Sequence, residues 1–149
     1  MKGSTRCSGF STIELVVAAA LATIIAAIAL PGWKSWSHSA ALNSSIRQIQ
    51  SELHAIKTRA AAENVGFQFA YQQDANEYTI QRDSKPLQTK PITGGTTITK
   101  TGVISFSPRG TAGGNRVRLR NAAGACRQIV VSATGRVRVC APSKCTEDC

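Results

Sequence analysis

The chain reads as an α+β protein, a long N-terminal helix followed by an antiparallel β domain. Three features of its 149 residues say so. Residues 13–30 form an apolar run with one charge, apolar residues then recur at steps of four and three from Leu42 to Ile56, and beyond Gly66 the period drops to two. The first two patterns are helical and the third belongs to half-buried strands. A helix first and strands after is an α+β layout.

Within residues 13–30 the single charge is Glu14. Eighteen helical residues rise about 27 Å, close to the hydrocarbon thickness of a bilayer. The leader, residues 1–9, carries Lys2 and Arg6 and no acid. Positive charge before an apolar span holds that end in the cytoplasm, so the chain after Pro31 is expected in the periplasm or outside. An ionised carboxylate in hydrocarbon costs roughly 2.5–3.5 kcal/mol, so Glu14 needs an interface or a partner. A cut between Gly9 and Phe10 would create an α-ammonium within one helical turn of Glu14. On a neighbouring copy that ammonium could pair with Glu14 and fix one axial register.

The run Gly9-Phe10-Ser11-Thr12-Ile13-Glu14-Leu15 resembles the type III signal of type IV prepilins and pseudopilins. The resemblance implies cleavage after Gly9 by a prepilin peptidase, N-methylation of Phe10 and assembly with other pilin subunits through Glu14. Pro31 falls where many pilins carry a helix-kinking proline. It further implies the type IV pilin fold and a single-pass inner-membrane anchor with the C-terminal domain in the periplasm, before assembly into a pilus or pseudopilus. An ordinary secretory signal would be cut at Ala27-Ile28-Ala29 and release a domain starting at Leu30. The early acid and the Gly-Phe junction stand against that. Cys7 is no lipoprotein cysteine, because Ser4-Thr5-Arg6 before it is polar and basic. Four segments follow: leader 1–9, transmembrane and assembly helix 10–31, amphipathic helix 32–65, and β domain 66–149 with a disulfide-bonded tail.

Net charge is +10 and, without Lys2 and Arg6 of the leader, +8. Such a balance points to an acidic partner: nucleic acid, anionic lipid or a cell-surface polymer. Four of the five cysteines, Cys126, Cys140, Cys145 and Cys149, fall in the last 24 residues. An even number in an exported segment reads as two disulfides. With no histidine nearby, a zinc site is the weaker reading.

Pro31 and Gly32 should bend or loosen the helix, and Trp33 and Trp36 flank Lys34 where amphipathic rings meet headgroups. Leu42, Ile46, Ile49, Leu53 and Ile56 then mark one helical face, stopped at residues 64–66. His38 and His54 lie on this helix without ligands around them and read as ordinary surface or interface residues. Strands are expected at 66–72, 77–82, 96–100, 103–107, 116–121, 126–132 and 136–140. Pro86 and Pro91 make 85–92 a loop or an edge. The run Gly110-Thr111-Ala112-Gly113-Gly114 opens no helix and lacks a Lys-Ser/Thr ending, so it is a connection rather than a phosphate loop.

Between Thr101 and Thr146 there are seven Arg, one Lys and no acid. In Arg116-Val117-Arg118-Leu119-Arg120 a strand turns two apolar residues one way and three guanidinium groups the other; Arg136-Val137-Arg138-Val139 repeats the alternation. Like charges on neighbouring strands repel, so stability gains nothing from them. Arg pairs with phosphate through a planar fork, and a merely soluble surface would use Lys with acids interspersed. Arg116, Arg118, Arg120, Arg136 and Arg138 are therefore expected to bind a polyanion. With no recognition helix and few aromatics, DNA would be bound without sequence preference. In the hairpin closed by Ala133-Thr134-Gly135, setting Cys126 opposite Cys140 places Ile129 opposite Val137. This favours Cys126–Cys140 and, by default, Cys145–Cys149, with the other two connectivities open.

The order helix, strands and C-terminal Ile129-Val130-Val131-Ser132-x-x-Gly135-Arg136-Val137-Arg138-Val139 resembles the GspH/FimT group of minor pilins. In FimT-like members a C-terminal Gly-Arg-x-Arg motif is associated with DNA binding during natural transformation, and residues 135–138 match it. The resemblance implies a minor pilin binding DNA during uptake. The alternative is a type II secretion pseudopilin or pilus-priming subunit without DNA binding. Two helical histidines and scattered acids assemble no nucleophile–base pair, carboxylate pair or metal cluster, so neither an enzyme nor a cofactor is expected.

Overall fold

The computed structural model describes residues 11–147. The expected leader, the expected cleavage junction Gly9–Phe10, the expected methylation position Phe10 and Cys149 lie outside the described residues. The order of elements is α1 (Thr12–Glu63), β1 (Phe67–Tyr71), β2 (Glu77–Arg82), β3 (Lys85–Pro91), β4 (Thr97–Ile98), β5 (Gly102–Phe106), β6 (Asn115–Arg120), β7 (Cys126–Val131) and β8 (Val137–Cys140). The chain divides into two compact units, with the boundary between Trp36 and Ser37.

In the first unit the Ser11 carbonyl accepts the first helical N–H groups, those of Glu14 and Leu15. Glu14 lies in the first turn, where a negative charge suits the positive end of the helix dipole. Ile13, Leu15, Val16, Val17, Leu21, Ile24, Ile25 and Ile28 are all exposed. The helix is long and apolar enough to cross a bilayer. It continues through Pro31 without a break.

In the second unit α1 is amphipathic, and the expected apolar face is the buried one. Leu42, Ile46, Ile49, Leu53 and Ile56 join the core, and Ala60 extends the stripe by one more turn. The helix ends on Asn64, which takes a left-handed φ of 52°. The Val65 N–H then returns to the Ala60 carbonyl at 3.3 Å, as in a Schellman cap.

The strands form two four-stranded antiparallel sheets, ordered β3-β2-β1-β5 and β4-β6-β7-β8. The first contributes Phe67, Phe69, Tyr71, Tyr78, Ile80, Ile104 and Phe106 to the core, and the second Ile98, Val117, Leu119, Ile129 and Val131. Phe69 stacks on Tyr78 at 4.7 Å. Both sheets are tied to α1. Glu52 pairs with Lys90 of β3, and Gln48 donates to the Pro91 carbonyl at 2.9 Å. The buried hydroxyl of Thr96, just before β4, donates to Ser45 at 2.9 Å, and Lys57 donates to the Gly135 carbonyl at 2.9 Å. The sheets are joined directly where the Tyr71 hydroxyl donates to the Arg116 carbonyl at 2.7 Å.

Residues 85–91 are the edge strand β3, one of the two options their prolines allow. Its register on β2 shifts between Ile80 and Gln81, close to Pro86, which has no N–H to donate. The strand expected at 96–100 shrinks to Thr97–Ile98. Its neighbours are used elsewhere: the Thr96 side chain bonds α1, and the Thr99 N–H reaches the Arg118 carbonyl past the end of the ladder.

Candidate functional site

The arginine pattern resolves into one face of the second sheet. Val117 and Leu119 point into the core, so Arg116, Arg118 and Arg120 point outward from β6. Arg116 lies opposite Val130, which lies opposite Arg138; Arg118 lies opposite Gln128, which lies opposite Cys140. Arg116 and Arg138 thus occupy one row across three strands, about 10 Å apart by two strand spacings. Arg120 is two pleats further along β6. Arg136 sits in the β7–β8 turn with the outward parity of Arg138.

Their environments differ. Arg120, Arg136 and Arg138 are exposed, whereas Arg116 and Arg118 are half-buried. Arg118 is bound within the protein: its guanidinium donates to the Cys145 carbonyl and, at 2.8 Å, to the Glu147 carbonyl. Of the five arginines expected to face solvent as one ladder, Arg118 instead carries the C-terminal tail on its head. Arg116 also makes contacts inside the protein. Lys100, exposed and just past β4, joins Arg116, Arg118 and Thr146 in lining an open cleft of about 420 Å³. Lys100 carries no sequence signal of its own, because only the β4–β6 pairing brings it beside Arg116.

The hairpin carrying Arg136 and Arg138 has a different register from the expected one. Val131 pairs with Val137, and Ser132 N–H bonds the Arg136 carbonyl at 3.0 Å, leaving Ala133, Thr134 and Gly135 as a three-residue loop. Gly135 takes φ 72°, the left-handed position of such a loop. Cys140 is therefore opposite Gln128 rather than Cys126, a slip of two residues that preserves which side chains face the core. The favoured Cys126–Cys140 pairing is accordingly overturned: Cys126 is bonded to Cys145. The physical reason is the loop, whose left-handed glycine and closing Ser132–Arg136 pair carry Cys140 two residues away from Cys126. Cys140 is disulfide-bonded as well.

Gly135 matters for a second reason. A Cβ there would overlap the Gly110 carbonyl oxygen and crowd the Lys57 side chain. The glycine of the Gly-Arg-x-Arg stretch is thus demanded by the backbone, and Lys57 caps its carbonyl from α1. His54 is exposed, and His38 offers its backbone carbonyl to Asn121 at 3.1 Å.

An exposed apolar N-terminal helix, and an amphipathic continuation buried on antiparallel sheets, define a pilin-type subunit. The model of the GspH family, described as type II transport protein GspH, matches residues 41–135, and the chain belongs to that family. Among solved structures it is similar to the minor pseudopilin EpsH from the type 2 secretion system of Vibrio cholerae. The TM-score is 0.58 at 11% identity, over 69% of this chain and 98% of that one. It is also similar to the type IV minor pilin FimU of Pseudomonas aeruginosa, with TM-score 0.54 and 17% identity over 70% of this chain and 99% of that one. A second crystal form of FimU gives 0.55 and 15% over 74% and 98%. No curated protein sequence matches the chain.

Proposed function

We propose that this subunit, anchored in the inner membrane by its apolar N-terminal helix and assembled into a filament through Glu14, binds DNA through the outer face of its second sheet. The observation that supports the reading is the row Arg116–Val130–Arg138, flanked by exposed Arg120 and Arg136 on strands with no acidic residue. The strand positions from Arg116 to Arg120 span roughly 13 Å, three to four nucleotide rises of one DNA strand. The face is a sheet surface that presents no recognition helix and few aromatics, so the contacts would be to phosphates and binding sequence-independent. Arg120, Arg136 and Arg138 can take phosphates without first giving up a buried position. Three neutralised phosphates give a slope of log K on log salt of about −2.7, and all five arginines about −4.5. A gel shift of the full-length mature protein in detergent micelles, with unrelated duplex fragments at several salt concentrations, tests this. Arg136→Gln with Arg138→Gln should flatten the slope by about 1.8. A slope near zero in the parent protein would exclude phosphate binding.

The second reading is a secretion pseudopilin or priming subunit that does not bind DNA, and the match to a secretion family favours it. The same double variant discriminates. Lost DNA binding with filaments intact supports uptake, whereas lost assembly without a DNA phenotype supports the structural role.

A further inference from the structure

Gln128 is a large polar residue on the outward face of β7, yet it is fully buried and both its amide oxygen and nitrogen lack partners. A residue on that face is buried only if something lies over it. Its cross-strand neighbour Arg118 grips the carbonyls of Cys145 and Glu147, and Cys126, two residues earlier on the same strand face, is bonded to Cys145. Cys145 and Glu147 thus occupy Arg118 beside the buried Gln128.

The balance of this cover is uneven. Among the described residues of the tail, the acceptors that Arg118 bonds are neutral carbonyls, and a phosphate oxygen is a stronger acceptor for the same guanidinium fork. Gln128 works against the cover, since its carboxamide would regain hydrogen bonds to water if the tail left. The Cys126–Cys145 bond is the contact that keeps the tail in place regardless. We infer that residues 141–147 are a disulfide-held cover over part of the polyanion face, and that reductive opening of Cys126–Cys145 transfers Arg118 from the tail to a phosphate. The inference rests on the polyanion reading above and adds its regulation. In the opening step a dithiol supplies two electrons and two protons: the Sγ–Sγ bond breaks, Cys126 and Cys145 become thiols, and the dithiol becomes its own disulfide.

The test compares the oxidised full-length mature protein in detergent micelles with the dithiothreitol-reduced protein and with a Cys126→Ser, Cys145→Ser variant. The variant keeps the cross-link of Cys140, so its result separates the two bonds and stands even if full reduction unfolds the domain. Hydrogen exchange at residues 143–147 reports the cover without any DNA. Opening should accelerate exchange there and steepen the salt slope for duplex DNA by about 0.9, one further phosphate. Arg118→Gln should remove that increment from the opened protein. Unchanged exchange in the opened protein, or a freed tail with no steeper slope, overturns the inference alone. So does an Arg118→Gln effect of equal size in the oxidised protein. Absence of DNA binding in both states overturns the polyanion reading and this inference with it.

Discussion

Tyr71 and Tyr78 are buried aromatic residues whose hydroxyls must stay neutral. Burial pushes Tyr71 up to about 12, and burial together with the nearby Glu52 carboxylate pushes Tyr78 up to about 12, against an ordinary 10.0. The unfolded chain therefore releases these protons first. Stability is complete below pH 10.0 and falls as pH rises toward 12. Each tyrosine contributes about 2–3 kcal/mol to that loss. Urea titrations between pH 9 and 12 should show the decline, and Tyr71→Phe should reduce it by about half. At neutral pH the same variant should cost about 1 kcal/mol, through the lost bond to the Arg116 carbonyl. Gly135→Ala should cost about 1–3 kcal/mol, since it meets both a left-handed φ and the Gly110 carbonyl. A Gly135→Ala protein with an unchanged urea midpoint would show that the loop relaxes freely. The glycine was legible in the sequence as a turn residue. Its contact with Gly110 was not, because those residues meet only through the tertiary fold.

Elements follow the same division between local and distant causes. The apolar stripe of α1 could be read residue by residue, since a helix buries whatever recurs at its own period. Leu42, Ile46, Ile49, Leu53 and Ile56 are all core residues. Ile49 and Leu53 are fully buried, so Ile49→Ala should lower stability by about 2–5 kcal/mol in denaturant melts. On β8 the expected alternation is incomplete, since Val139 is exposed, whereas the inward and outward parity of β6 was equally legible, because it depends only on the pleat. Register was not. A loop one conformation different slides the partner strand by two residues, which leaves parity intact and moves Cys140 away from Cys126. Strand β3 was ambiguous for a related reason: proline permits an edge without requiring one.

At the scale of the whole chain, the α+β class was legible but the division of the strands into two sheets was not. Pairings such as Phe67 with Phe106 link residues far apart in sequence, and no local pattern encodes which strands meet. The arginine face was legible as a list of positions, but the tail that takes Arg118 from it was not, because Cys145 and Glu147 reach Arg118 only in the folded domain. Among the described residues the large apolar side chains of the N-terminal helix are exposed, and lipid or neighbouring helices would bury them. Glu14 is the one acid in that span, and its proposed partner is the α-amino group of a neighbouring Phe10. Glu14→Ala should therefore leave the melting of the β domain unchanged and leave cleavage after Gly9 intact, yet strongly reduce incorporation into filaments. Recovery of filaments by immunoblot, beside N-terminal sequencing of the membrane pool, checks both halves. Normal incorporation of the Ala variant would remove the ion pair as the source of axial register, and a mature chain starting at Leu30 would replace the anchor with a secretion signal.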